Sequence, residues 1–221
     1  MSITPESVKQ LLSSEDLGDR LRAVNQIRDL DRAIAFELIQ IGVGDSNARV
    51  RYSAVSQLDV LGTQDLQLSL NILRQLLNDP EPDVQAAAAD CLGALKLEEA
   101  FGDLQQLYNT TPEWLVKFSI IATLGELGDP RGFELLKLAL ETENDLIKTA
   151  AISSFGELGN IDAVPLLTPY AQNPDWQVRY RVLLALSRLG GADAKAVLET
   201  LANDQVEAIA NEAKKSLQSV S

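Results

Sequence analysis

The feature that most constrains this chain is a repeat: its 221 residues echo themselves with a period of about 31. The clearest copies are VRYSAVSQLDVLG from Val50, VQAAAADCLGALK from Val84, VKFSIIATLGELG from Val116, IKTAAISSFGELG from Ile147 and VRYRVLLALSRLG from Val178. Aligned on their first anchor, Asp19, Val50, Val84, Val116, Ile147, Val178 and Ile209 follow at steps of 31, 34, 32, 31, 31 and 31 residues. The first copy is degraded, keeping Ala23 and Ile27, and the last is truncated to Ile209, Ala213 and Leu217. Apolar anchors at i, i+4, i+8 and i+11, such as Val50, Ala54, Leu58 and Leu61, form one stripe of an α-helix, helix A. Its expected end is Gly62, Gly128, Gly159 or Gly190, the residue type suited to a left-handed cap. A second amphipathic stretch, helix B, reads DPRGFELLKLAL, NIDAVPLLTPY and ADAKAVLETLA in three copies. Asp79-Pro80, Thr111-Pro112 and Asn173-Pro174 separate a B helix from the next A helix. Strand patterning is absent, and Thr4-Pro5 predicts a capped helix to about Leu12.

Neither helix of a pair can bury its stripe alone, so successive pairs must stack on one another. The expected fold is all-α: one α-solenoid of about six short helix pairs over residues 19–203, a capping N-terminal helix in 1–18, and a capping half repeat in 204–221. At ~10 Å between packed helices, six pairs make a rod or arc roughly 60 Å long. The signatures of tetratricopeptide and ankyrin repeats are missing. With no His, the chain has no Ser-His-Asp or Cys-His set and no mixed Cys/His metal site. One Cys excludes an internal disulfide and a four-thiolate cluster, and no acid spacing matches a calcium loop. No metal site is expected. A net charge of −13 disfavours nucleic acid and anionic membranes, and no signal pattern or membrane-length apolar run occurs, so no membrane insertion is expected.

The string LGELGDPRGFELL, the V-[RK]-x-x-A core and the period of about 31 resemble the short HEAT-like repeats of the phycobilin-lyase type, from Asp19 to about Leu217. The resemblance implies a cyanobacterial bilin-lyase homologue acting in phycobilisome degradation under nutrient stress. Its implied partners are phycobiliproteins, namely phycocyanin and allophycocyanin, and a small phycobilisome-degradation adaptor. It implies no permanently bound cofactor, with phycocyanobilin as a transient ligand, and a cytoplasmic location at phycobilisomes on the thylakoid surface. A similar architecture belongs to a cyanobacterial HEAT protein associated with an iron–sulphur scaffold. A non-catalytic adaptor, serving proteolysis or iron–sulphur assembly, therefore stands beside the lyase reading.

A composite written twice is the most informative local feature: Tyr108-x3-Pro112-Glu113-Trp114-x-Val116-Lys117-Phe118 and Tyr170-x3-Pro174-Asp175-Trp176-x-Val178-Arg179-Tyr180. A helices start on one edge of a solenoid, so the two clusters are expected ~20 Å apart along it. Each offers rings, a cation and a carboxylate, which suit the rings, propionates and pyrrole N–H groups of a tetrapyrrole, or the hot spots of a protein surface. The structural alternative is that each Trp staples the incoming chain to the first turn, while the rings of Tyr52, Phe118 and Tyr180 fill space beside small residues such as Gly93, Gly125 and Gly156. Thioether elimination of a bilin wants a proton donor and acceptor. Glu113, Asp175, Tyr108 and Tyr170 are the available types, and no spacing singles out a catalytic residue.

The cation after the first anchor recurs as Arg20, Arg51, Lys117, Lys148 and Arg179, with Gln85 the exception. It is expected to form a ladder with acids of adjacent repeats such as Asp45 or Asp175. Arg49 and Arg181 fall outside that column and suit contact with a partner. Residues 1–62, 63–143 and 144–221 carry −2, −9 and −2. Glu98, Glu99, Asp103, Glu126, Asp129 and Glu134 are read as an acidic patch attracting a basic partner, or else as a solvated face. Cys91 is read as a small residue at the core margin, the alternative being a transient thioether acceptor. Pro165 fits the first turn of its B helix, whereas Pro169 should end or bend that helix and open the surface near Tyr170.

Overall fold

The computed structural model describes residues 3–219, and all regular structure among them is helical. Residues 1, 2, 220 and 221, the extremes of the two expected caps, lie outside the described residues. The first helix, α1 (Pro5–Leu12), opens on a reciprocal cap. Thr4 Oγ1 accepts the Ser7 N–H at 3.2 Å, and Ser7 Oγ accepts the Thr4 N–H at 3.0 Å. Helix pairs follow in the order the repeat predicts. They are α2 (Leu17–Ile27) with α3 (Arg32–Val43), α4 (Ala48–Val55) and α5 (Leu58–Leu61) with α6 (Leu66–Leu76), and α7 (Pro82–Ala94) with α8 (Phe101–Thr110). Next come α9 (Trp114–Leu127) with α10 (Gly132–Leu140), α11 (Asp145–Leu158) with α12 (Val164–Leu167), α13 (Trp176–Leu189) with α14 (Gly191–Leu201), and then α15 (Glu207–Ser219).

Packing gathers the chain into two compact units, Met1–Ile120 and Ile121–Ser221, with the division inside α9. In the first, α4 packs between α2 and α7, and α3 and α6 lie against the same stack. In the second, α13 packs between α11 and α15, with α10 on α11 and α14 on α13. Both units have the solenoid-like layering of A helices and B helices that the period predicts.

The anchors form the core. Val50, Ala54 and Leu58 are fully buried and Leu61 nearly so, as are Val116, Ile120 and Leu124 in a later copy. Each fully buried Leu or Ile contributes about 1.5–3 kcal/mol relative to an exposed one. A second column ties successive A helices together by side-chain bonds to backbone carbonyls. Gln57 Nε2 donates to Val24 O at 2.9 Å, Cys91 Sγ to Val55 O at 3.2 Å and Ser154 Oγ to Ile121 O at 2.9 Å. Close helix approach accompanies it: a Cβ on Gly156 would meet Ala185 Cα at 2.6 Å.

Three details depart from the expected pattern. The second A helix is not continuous, because α4 and α5 are separated at Ser56–Gln57, where the Gln57 amide also donates to Ser53 O. Gly128, Gly159 and Gly190 end their helices at φ of 76°, 74° and 67°, but Gly62 stays right-handed at −62° and leads into a 3-10 turn over Gly62–Gln64. Its glycine serves close packing instead, since a Cβ there would meet Leu95 Cδ1 at 2.7 Å. The matching position after α7 is Lys96, which takes a φ of 53° without being glycine. At Pro169 the expectation holds: α12 stops after four residues and the chain continues as a 3-10 turn over Thr168–Gln172.

Candidate functional site

The start of each A helix is built by one turn repeated down the chain. Two residues before each helix cap, a short polar side chain accepts the N–H two positions on. Ser14 accepts from Asp16, Asp45 from Asn47, Asp79 from Glu81, Thr111 from Glu113, Thr142 from Asn144, Asn173 from Asp175 and Asp204 from Val206, at 2.8–3.3 Å.

Three of these side chains also close a rung with the preceding repeat. Nε of Arg20, Arg51 and Arg179 donates to Oδ2 of Asp45, Asp79 and Asp204, each at 2.7 Å. Nη1 of the same guanidinium reaches the carbonyls six and five residues before it, such as Asn173 and Pro174 for Arg179. The paired side chains are largely buried, at 14% and 7% exposure for Arg179 and Asp204. The hydrogen bond from Arg179 holds the Asp204 carboxyl below its ordinary range. Burial pushes the Asp79 carboxyl up, but the bonds from Arg51 and the Glu81 N–H more than reverse it.

The expected ladder is therefore partial. Arg179 pairs with Asp204, and Asp175 instead caps its own helix by accepting the Gln177 N–H at 2.8 Å. Gln85 keeps only the carbonyl bond, to Asp79 O at 2.7 Å. Lys148 is bound to Asp145 on its own helix at 3.3 Å, and Lys117 lies over the Tyr108 ring with Nζ 5.5 Å from its centre. Where the column holds Arg, the next copy supplies Asp; after Gln85, Lys117 and Lys148 it supplies Thr111, Thr142 and Asn173. This pairing was readable from the sequence once the turn residue was aligned.

Of the first aromatic composite, the structure brings together Tyr108 and Lys117, both half-buried, and burial raises the Tyr108 phenol. Trp114 opens α9 at 49% exposure, with Phe118 half-buried one turn on. The second composite is divided by the Asn173–Pro174 turn. On one side Tyr170, whose hydroxyl donates to Leu140 O at 3.3 Å, lines a cleft of about 490 Å³ with Leu146, Lys148, Thr149 and Arg181. On the other, Trp176 at 47% exposure lines a cleft of about 640 Å³ with Arg179, Leu201 and Val206. Arg179 is held in its rung, and Tyr180 is half-buried on α13.

The acidic residues are dispersed among local partners. Asp103 meets Arg74 Nε at 2.8 Å, and Arg74 also donates to the Glu99 carbonyl. Asp129 is buried, with its carboxylate held by Arg131. Glu134 meets Lys137 at 3.1 Å, while the Glu98, Glu99 and Glu126 side chains are exposed. Cys91 is buried at 2% exposure, and burial first, then Asp59 and Asp90, push its thiol up to about 12. A thiol so placed is no thioether acceptor. Among the described residues there is no metal-holding group of His, Cys, Asp and Glu, and no helix long and apolar enough to cross a membrane.

The sequence profile of HEAT repeats matches residues 70–156 and 134–218. Among solved structures, a chain of the CpcE–CpcF complex of phycocyanin lyase from a Nostoc species is 21% identical. It superposes with a TM-score of 0.66 over 100% of this chain and 96% of that one. An archaeal HEAT-like repeat protein from Thermococcus onnurineus is 16% identical, with a TM-score of 0.58 over 100% and 98%. The E. coli protein YibA is 18% identical, with a TM-score of 0.62 over 93% and 75%. No curated protein is a significant sequence match. At these identities the likeness is one of fold.

Proposed function

The chain belongs to the HEAT-repeat family, and on that premise we propose that it is a bilin-lyase-like recognition solenoid that binds phycobiliproteins during phycobilisome degradation under nutrient stress. The observation that carries the reading is the pair of half-exposed tryptophans, Trp114 and Trp176, each at the first position of an A helix. Trp is among the residue types that most often dominate a binding hot spot. The fold shared with a phycocyanin lyase chain supports phycocyanin or allophycocyanin as the partner class. In this reading the chain is the cyanobacterial phycobilisome-degradation protein NblB or a close counterpart. It works in the cytoplasm at phycobilisomes on the thylakoid surface, with or beside a small degradation adaptor.

Recognition ranks ahead of catalysis. The chain has no His, and its one thiol is buried. Phycocyanobilin enters as a transient ligand of the exposed aromatic side chains rather than as a group attached to Cys91. Mixing the purified protein with holo-phycocyanin tests the proposal. Co-elution on size exclusion with an unchanged visible spectrum is expected, and bleaching or released bilin would move the reading to a lyase. Trp114→Ala with Trp176→Ala is expected to weaken co-elution roughly tenfold or more. Undiminished co-elution of that double variant removes the two tryptophans from the proposal.

A further inference from the structure

We propose that the open rung between Lys148 and Asn173 is a receptor for a carboxylate of a partner protein, an Asp or Glu side chain flanked by apolar residues. The proposal rests on the reading of this chain as a partner-binding solenoid and identifies the chemistry that one of its clefts recognises. In each closed rung the acid uses both oxygens: Oδ1 accepts the N–H two residues on, and Oδ2 accepts Nε of the arginine. Asn173 keeps the first bond, with Oδ1 accepting the Asp175 N–H at 2.9 Å. By the planarity of the amide, its Nδ2 then stands where the other rungs have Oδ2, and it has no acceptor among the described residues. A donor has replaced an acceptor opposite a cation. Lys148 and the Asn173 amide both line the cleft and both are donors, so the ligand chemistry that suits the two together is an anion accepting from each.

The surroundings fit a carboxylate on an apolar body. Arg181 lines the same cleft, and its guanidinium makes a weak bond of 3.4 Å to Ser153 Oγ. The ion pair of Lys148 is to an Asp145 side chain that is 91% exposed, so a ligand can displace it at small cost. Asp175, the other acid of the cleft, is already bound to the Gln177 N–H. Leu146, 55% exposed, with Pro174 and Val178 supplies apolar wall, and about 490 Å³ is room for one or two side chains. The chain's net charge of −13 opposes an acidic partner at long range, so recognition here is local.

The test is a titration followed by amide NMR shifts, with acetyl-Leu-Glu-Leu-amide at millimolar concentration as probe. Shifts centred on Lys148, Asn173 and Arg181 are expected, with the Gln counterpart of the peptide roughly tenfold weaker. Lys148→Arg with Asn173→Asp rebuilds the closed rung that the fold already carries at Arg179 and Asp204. This variant is expected to melt at a higher temperature than the parent and to bind the Glu peptide roughly tenfold more weakly. Equal binding of the Glu and Gln peptides, absence of shifts in the cleft, or undiminished binding by the closed variant would overturn the proposal. Propionate alone binding as well as the peptide would also overturn it, by making a free carboxylate the ligand. Loss of phycocyanin co-elution with peptide binding intact strikes only the phycobiliprotein reading; the reverse strikes only this one.

Discussion

Two consecutive rungs of the second unit share one backbone design and differ in chemistry. At Arg179 and Asp204 a guanidinium, a carboxylate and two carbonyls are joined by hydrogen bonds, and the pair stands in the wall of a cleft of about 640 Å³. One repeat earlier, at Lys148 and Asn173, the same turn is made by an amide, and the two side chains line a cleft of about 490 Å³, each bonded to a partner other than the other. Two exchanges, Arg for Lys and Asp for Asn, separate the bonded pair from the unbonded one. The repeat thus carries bonded and unbonded pairs in one register, at a separation of 25 residues in both of these copies.

The largest effect should come from breaking the closed rung. Asp204→Ala leaves the Arg179 guanidinium without its carboxylate in a largely buried place, and a loss of roughly 3 kcal/mol in urea unfolding is expected. A loss under about 1 kcal/mol would mean that water replaces the acid freely and that the two rungs differ little.

Acid should act in the same direction by a smaller and graded amount. Because its folded-state pKa is depressed, Asp204 contributes fully at neutral pH, and that contribution fades as pH falls below the ordinary value of 3.8 and through the lower folded value. The stability gap between the parent and Asp204→Asn is therefore expected to be widest near pH 7 and to narrow on acidification. Urea midpoints measured across that range check it, and a gap independent of pH would remove charge from the explanation.

The smallest effect belongs to the open rung. Lys148→Ala removes only an exposed bond to Asp145, so a change within about 0.5 kcal/mol is expected from thermal or urea unfolding. A cost approaching that of Asp204→Ala would show that Lys148 closes its repeat after all.

Much of this architecture is legible in the residue pattern because it depends on neighbours along the chain. Val50, Ala54 and Leu58 share a helix face by spacing alone, Thr4-Pro5 marks a helix start, and Pro169 breaks a helix whatever surrounds it. Other features were hidden because they depend on the next repeat. Asp175 is nearer in sequence to Arg179 than Asp204 is, yet its carboxylate turns to its own helix. Tyr170 and Trp176 read as one cluster, but the Asn173–Pro174 turn sends them into different clefts. Gly62 looked like a left-handed cap, and its lack of a side chain is used against Leu95 and Ser69.

By itself the sequence determined the helix pairs, their order and the stripe each one buries, since a period of about 31 leaves an apolar face that only a stacked neighbour can cover. Tertiary structure decided how the polar groups that the pattern aligns meet across repeats. That choice rests on where a carboxylate or an amide stands once two turns are superposed, at a sequence separation over which chain connectivity imposes no local geometry. The bonded pair at Arg179 and Asp204, the unbonded one at Lys148 and Asn173 and the buried thiol of Cys91 all arise from that stacking.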